Sequence, residues 1–163
     1  PPVRGEGVPT LAAALALLAP TRLELHIELK TSRVPYPGLV PAVLRLVEGA
    51  GLGGRVTLSS FNHYSLREAR RLAPELPCGA LLGDVLIEPW AYVRAHGFQA
   101  LHPHHTAVDE ALVRGCHGAG LAVRAWTVDD PAEAKRLMAL GVQAIISNEP
   151  ARLLRLREAA PGR

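Results

Sequence analysis

The sequence predicts an α/β fold built from six consecutive strand–helix units. Short apolar runs alternate along the chain with stretches in which apolar residues recur every three or four positions, the spacing of a helix. The predicted strands cover 23–29, 56–60, 78–82, 100–102, 121–128 and 142–146. The helices that follow them cover 37–50, 65–73, 89–95, 108–119, 131–140 and 150–158. Because a helix joins each strand to the next, the strands should be parallel.

Two architectures are built from such units, an open doubly wound sheet and a TIM (β/α)8 barrel. A dinucleotide-binding open sheet carries Gly-x-Gly-x-x-Gly after its first strand, and that motif is absent from this chain. A barrel needs eight units and rarely fewer than roughly 200 residues. The sequence therefore predicts one domain over 1–163, a partial TIM barrel whose first one or two units are missing. The chain opens on Pro1 rather than Met, so we expect those units to precede it in the parent protein.

In chain order, each element has its own sequence pattern. Thr10 is a candidate cap for a helix over 10–18, ahead of the first strand. The run LELHIEL alternates apolar and polar residues, while VTLSS and CGALL are the short runs of the next two strands. Asp130, directly before a proline, predicts the start of the helix over 131–140. Gly120 and Gly141 stand where the helices that lead into the last two strands should end.

Composition excludes several classes of protein. With 48% hydrophobic and 20% charged residues, the chain can form a core and is not disordered. No apolar run reaches the roughly 18 residues of a membrane-spanning helix. The net charge of +3 comes from scattered arginines without interleaved aromatic residues, so we expect no nucleic-acid partner. Cys78 and Cys116 form neither a disulfide framework nor a zinc motif, which agrees with a cytoplasmic location.

Charged residues end the first predicted strand, where barrel enzymes place their active sites. His26, Glu28 and Lys30 share one face of this strand, because side chains alternate along a strand. A carboxylate and an ammonium group in a barrel mouth could bind a cation and an anionic substrate together. The alternative is a salt bridge at the rim.

Three later strand ends carry further candidates. The hydroxyls of Ser59 and Ser60 could bind a phosphate beside a pocket wall formed by Phe61; the alternative is a helix cap followed by a core aromatic residue. The run LHPHH at 101–105 is a weak candidate for a transition-metal site, since partner ligands are lacking, and exposed loop histidines are the favoured interpretation. Trp126 could either form a ligand wall or pack in the core.

Five segments of the chain together have the pattern of one enzyme family. They are VPTL at 8–11, IELK at 27–30, SSF at 59–61, GLAVRAWTVD at 120–129 and GVQAIISNEP at 141–150. In this order they resemble the carboxyl-terminal two-thirds of the glycerophosphodiester phosphodiesterases, which are metal-dependent TIM-barrel hydrolases. The resemblance implies hydrolysis of small-molecule glycerophosphodiesters to sn-glycerol 3-phosphate and an alcohol.

The resemblance also implies roles for individual residues. Family members bind Ca²⁺ or Mg²⁺ through two Glu and one Asp, and two histidines act as general acid and base. Glu28 matches one of the metal ligands, and Lys30 matches the catalytic lysine that contacts the phosphate. Phe61 and Trp126 match the aromatic residues that line the substrate-binding mouth.

The family's amino-terminal motifs are absent from these 163 residues. In the family, these motifs supply both catalytic histidines, an arginine and two of the three metal ligands. We therefore expect the parent protein to be an enzyme and the 163 residues by themselves to be inactive. The alternatives are a non-catalytic phosphate-binding or assembly module, which would form a homo-oligomer through its open barrel edge, and another phosphate-handling barrel enzyme.

Overall fold

The computed structural model describes residues 7–158 of the chain. Within this range, helices connect six strands of one sheet. The strands are β1 (Leu25–Glu28), β2 (Val56–Ser60), β3 (Cys78–Leu82), β4 (Ala100–Pro103), β5 (Ala122–Ala125) and β6 (Ala144–Ile145). The helices are α1 (Leu11–Leu18), α2 (Leu39–Gly49), α3 (His63–Leu72), α4 (Pro89–Ala95), α5 (Glu110–Gly118), α6 (Pro131–Leu140) and α7 (Pro150–Glu158). Short 3-10 turns lie at Gly53–Arg55 and His105–Ala107.

The sheet is parallel, and its strands lie side by side in chain order. A doubly wound sheet would reverse its strand order at a switch point, and the described strands have no such reversal. The result is a partial TIM barrel of six strands, called the half-barrel below, which confirms the predicted fold class. In the described part of the chain, β1 and β6 are each paired with a strand on one side only.

Local chemistry sets several helix boundaries as predicted. The Thr10 hydroxyl accepts a hydrogen bond of 3.2 Å from the main-chain nitrogen of Ala13 and caps α1. Asp130 caps α6 in the same way, accepting from the nitrogen of Glu133 at 2.9 Å. Gly141 ends α6 with a φ of 87°, in the left-handed region that glycine adopts without strain.

The strand predictions over 121–128 and 142–146 were too long. In the structure, β5 ends at Ala125 and β6 contains only Ala144 and Ile145. Beyond Ala125, Asp129 turns towards the next connection and accepts three hydrogen bonds from Ser147 and Asn148. Main-chain pairing past Ala125 is irregular: Trp126 forms an isolated bridge with His104, and the Val128 nitrogen donates to the Ile146 carbonyl at 2.9 Å.

The apolar core lies between the sheet and the helices. Leu58 of β2, Leu101 of β4 and Val123 of β5 are fully buried there with Leu66 of α3 and Leu137 of α6. Side chains on the opposite strand face are directed into the half-barrel, so this face supplies the residues of the cavity described below. In residues 7–158, every helix is too short or too polar to cross a membrane.

Candidate active site

The half-barrel encloses a cavity of about 990 Å³, which extends past β6 towards α6 and α7. The strands contribute inward-facing side chains to its wall, and two of them, Glu28 of β1 and Ser59 of β2, pair directly across neighbouring strands. The residues that line the cavity from β1 to the end of β5 are Glu24, His26, Glu28, Lys30, Ser59, Phe61, Leu81, Trp126 and Thr127. Glu28, Lys30, Phe61 and Trp126, the four residues to which the family resemblance assigned a role, thus surround one cavity.

Glu28 and Lys30 lie on the same face of β1 and its extension, as predicted. The Lys30 ammonium is 3.5 Å from a carboxylate oxygen of Glu28. The Lys30 side chain is 81% exposed and that of Glu28 35%. An ion pair this exposed contributes little to stability, at most about 1 kcal/mol. Both groups are therefore free to contact a ligand in the cavity.

Phe61 and Trp126 form an aromatic pair at the mouth. Their rings meet edge to face with centroids 5.2 Å apart. The indole nitrogen of Trp126 donates a hydrogen bond of 2.8 Å to the main-chain carbonyl of His102. Phe61 is 40% exposed, so the alternative in which it is a core residue is wrong. Trp126 is partly buried and lines the cavity, as a ligand wall would.

A polar layer lies inside the half-barrel and was missed by sequence reasoning. Arg124 donates a hydrogen bond of 3.3 Å to Nε2 of His102, and the His102 ring lies 5.9 Å from that of His26. Burial first, and then the charge of Arg124, lower the pKa of His102 to about 3. Its Nδ1 is buried without a hydrogen-bond partner in the described part of the chain.

The expectation of exposed loop histidines at 101–105 fails for His102, which belongs to β4 and is fully buried. The ring fits because the facing residue is Gly79: a side-chain carbon there would lie 2.4 Å from His102 Nε2. Arg124 stands two residues before Trp126 and so shares its strand face. From this two-residue spacing, the sequence could have predicted that Arg124 faces the inside of the barrel together with Trp126.

The other two histidines of this run have partners of their own. His104 Nδ1 lies 2.7 Å from the hydroxyl of Thr106, and His105 Nδ1 lies 2.9 Å from the carboxylate of Glu133. Over residues 7–158, no three His, Cys, Asp or Glu side chains converge closely enough to hold a metal ion. The structure thus gives the transition-metal interpretation of this run no support.

The lack of three converging ligand side chains in residues 7–158 also concerns the Ca²⁺ or Mg²⁺ implied by the family resemblance. Hard cations prefer carboxylate oxygens, so the Glu28 side chain is chemically suitable as one ligand. A complete site is not assembled by the described residues. Glu28 therefore fits one position of a metal site and does not define the site by itself.

The two serines of β2 point in opposite directions. Ser59 lines the cavity. Ser60 is fully buried on the other face, where its hydroxyl donates to the carbonyl of Leu29 at 2.6 Å and accepts from the nitrogen of Asn62 at 3.0 Å. A phosphate-binding role for Ser60 is therefore wrong. Asn62 supplies the cap of α3 that the alternative interpretation expected in this segment.

Comparison with known proteins gives consistent matches. The model of the glycerophosphoryl diester phosphodiesterase family matches residues 1–152. A glycerophosphodiester phosphodiesterase of Caldanaerobacter subterraneus is 35% identical over 93% of this chain and 63% of its own length. One from Bacillus altitudinis is 30% identical with the same coverage. This chain thus spans a little under two thirds of these relatives.

Solved structures of phosphodiesterases also match most of this chain. A glycerophosphodiester phosphodiesterase from Parabacteroides distasonis superposes with a TM-score of 0.83 at 25% identity, over 94% of this chain and 66% of that one. A phosphodiesterase from Oleispira antarctica, solved with the product sn-glycerol 3-phosphate, has a TM-score of 0.82 at 25% identity. That match covers 93% of this chain and 62% of the other.

Proposed function

Because this chain belongs to the glycerophosphoryl diester phosphodiesterase family, we propose that the whole protein hydrolyses glycerophosphodiesters to sn-glycerol 3-phosphate and an alcohol. The observation that carries the proposal is the arrangement of Glu28, Lys30, Phe61 and Trp126 around one cavity at the carboxyl ends of parallel strands. The product bound to the Oleispira antarctica relative supports glycerol 3-phosphate as the product here.

Lys30 acts on the phosphate in this proposal. Its ammonium group is exposed at the cavity, where a positive charge would stabilise the negative charge that develops on the phosphoryl oxygens. The Glu28 carboxylate lies 3.5 Å from this ammonium at the same mouth. Phe61 and Trp126 line the same cavity as an edge-to-face pair and would limit the access of water to the bound phosphodiester.

A divalent cation, Ca²⁺ or Mg²⁺, belongs to the same proposal. When bound, it would polarise the phosphoryl group as a Lewis acid. Glu28 would contribute one carboxylate oxygen. The remaining ligands and the two acid–base histidines would come from the part of the family fold that these 163 residues do not match. We accordingly expect the 163 residues alone to be inactive.

A second candidate function is a non-catalytic module that binds phosphate or assembles with a second copy. The observation in its favour is that β1 and β6 each have one unpaired side in the described residues. Solution size discriminates, because a dimer whose population rises with concentration would support this candidate. A cytoplasmic location is proposed for either function, since Cys78 and Cys116 are buried free thiols.

The test is release of glycerol 3-phosphate from glycerophosphocholine by the whole protein, with Ca²⁺ or Mg²⁺ and with a chelator. Lys30→Met should lower kcat/KM by about 100-fold or more. Lys135→Met, at an exposed position on α6, is the matched control and should leave kcat/KM unchanged. If no product forms with Ca²⁺ and none forms with Mg²⁺, the proposed reaction is refuted. Equal activity of the two lysine variants would refute the role of Lys30.

A further inference from the structure

The inner face of β2 places a hydroxyl beside the charged residues of β1. Ser59 of β2 pairs in parallel register with Glu28 of β1, and Thr57 pairs with His26. Neighbouring strands lie about 4.8 Å apart, so paired side chains on the same face stand side by side. Of the two hydroxyl-bearing residues, Ser59 lines the large cavity, whereas Thr57 lies one step further from the mouth. The Ser59 hydroxyl therefore belongs to the wall of the candidate active site, next to Glu28.

This hydroxyl has no hydrogen-bond partner among the described residues. Ser59 is only 5% exposed, and the other two buried serines, Ser60 and Ser65, both find partners within the protein. The Ser60 hydroxyl donates to the Leu29 carbonyl at 2.6 Å, and the Ser65 hydroxyl lies 2.7 Å from that of Thr31. A buried hydroxyl without a partner costs free energy. Because Ser59 faces a cavity, a ligand bound there can supply the partner.

Ser59 and Lys30 flank the same carboxylate. Ser59 stands beside Glu28 on the neighbouring strand, and the Lys30 ammonium is 3.5 Å from a Glu28 carboxylate oxygen. A ligand that contacts the ammonium at this position is therefore within reach of the Ser59 hydroxyl. The ammonium can only donate hydrogen bonds, and the hydroxyl can donate one as well. A ligand that binds both groups must accordingly offer acceptors.

An ionised phosphodiester has the atoms that this pair of donors requires. Its two non-bridging oxygens are both acceptors, and the phosphoryl group carries no donor. A hydrogen bond to a charged acceptor is roughly twice as strong as one between neutral groups, so the buried hydroxyl gains most from an anion. A divalent cation suits the hydroxyl less well, since hard cations prefer carboxylate oxygens and Glu28 supplies these beside Ser59.

We propose that the Ser59 hydroxyl donates a hydrogen bond to one non-bridging oxygen of the phosphodiester, while Lys30 contacts the other. The inference rests on the proposed function and adds a substrate-binding residue to it. The product, sn-glycerol 3-phosphate, retains these oxygens, so the same hydrogen bond forms with the product. Binding can therefore be measured separately from hydrolysis.

The test measures the binding of sn-glycerol 3-phosphate and of inorganic phosphate to the whole protein, by calorimetric titration with Mg²⁺ present. In Ser59→Ala we expect Kd to rise about tenfold or more for both ligands, the loss typical of a hydrogen bond to a charged group. Ser59→Cys is the second variant, because a thiol fills nearly the same volume and is a weak donor. A similar rise in Kd for Ser59→Cys would show that the loss comes from the hydrogen bond and not from an empty space.

The neighbouring serine is the matched control. The Ser60 hydroxyl forms its hydrogen bond within the protein, on the opposite strand face. Ser60→Ala should therefore lower the midpoint of urea unfolding and leave both Kd values unchanged. Ser59→Ala should do the reverse, because its hydroxyl has no partner to lose among the described residues. If Ser60→Ala does not fold, Ser65→Ala takes its place, since the Ser65 hydroxyl contacts Thr31.

The outcomes separate this inference from the proposed function. Unchanged Kd values in Ser59→Ala, or no measurable binding of either ligand to the wild-type protein, would overturn the inference. A rise confined to sn-glycerol 3-phosphate would assign the hydroxyl to the glycerol and overturn it too. So would a lowered affinity of Ser59→Ala for Mg²⁺ alone, because Ser59 would then serve the metal site. If glycerophosphocholine is not hydrolysed, the proposed function fails, whereas a rise in both Kd values would still support the phosphate contact.

Discussion

The indole nitrogen of Trp126 is held by the main-chain carbonyl of His102, 2.8 Å away on the neighbouring strand. The His102 side chain is fully buried and occupies space that Gly79 leaves open. Trp126 in turn packs edge-on against Phe61 at the mouth. A glycine inside the sheet is therefore linked through two residues to the aromatic pair of the candidate site.

Replacement of Gly79 tests this link. In Gly79→Ala the new carbon would lie 2.4 Å from His102 Nε2, so the fully buried ring or the strand would have to shift. We expect the free energy of unfolding in urea to fall by about 1–3 kcal/mol. Gly83→Ala is the control, because nothing lies within 4 Å of a carbon at that position. An equal loss in both variants would contradict the steric explanation.

Glu28→Gln tests the metal ligand. It should lower the affinity of the whole protein for Ca²⁺ or Mg²⁺ by about tenfold or more, measured by calorimetric titration. The unfolding free energy should change by less than about 1 kcal/mol, since the pair with Lys30 is exposed. Glu24→Gln is the control, because Glu24 lines the same cavity from before the start of β1. Unchanged affinity in Glu28→Gln would refute the assignment.

Glu133 should make stability depend on pH. Hydrogen bonds from Arg136 first, and also from His105, lower the Glu133 pKa to about 2 from its ordinary value of 4.5. Between these values the unfolded chain binds more protons, so stability falls as the pH drops through this window. We expect Glu133→Gln to flatten this part of the profile and to cost about 1 kcal/mol at pH 7.

The measurement for Glu133 is urea unfolding at a series of pH values from 2 to 7, a range that spans the lowered and ordinary pKa values of about 2 and 4.5. Glu110→Gln is the matched control. Glu110 forms an ion pair with Arg114 at 3.4 Å, and both side chains are largely exposed. Its removal should leave the profile close to that of the wild-type protein. A Glu133→Gln profile as steep as the wild-type one would count against the role assigned to Glu133.

Asp129 should order the connection between β6 and α7. Its carboxylate accepts hydrogen bonds from the Ser147 hydroxyl and from the main-chain and side-chain nitrogens of Asn148, at 2.8, 2.8 and 2.9 Å. In Asp129→Ala we expect faster amide hydrogen exchange at 147–149. Asp130→Asn retains a side-chain oxygen to cap α6 and is the control. Equal exchange in wild type and Asp129→Ala would show that other contacts hold this segment.

Much of the fold could be predicted because its determinants are local. The alternation of apolar runs with helical spacing indicated all six strand–helix units, and Thr10 and Asp130 identified helix starts through their own side chains. The shared strand face of Glu28 and Lys30 follows from alternation alone. The roles expected of Phe61 and Trp126 came from the family resemblance, and the structure places both rings at one cavity.

What depends on neighbouring strands could not be predicted in this way. The outward direction of Ser60 and the burial of His102 are each set by a partner distant in sequence: Leu29 with Ser60, and Gly79 with His102. Local sequence patterns specify which elements form and which side chains share a strand face. Which face turns inward, and what fills the space there, depends on packing and pairing energies between residues that meet only when the chain has folded.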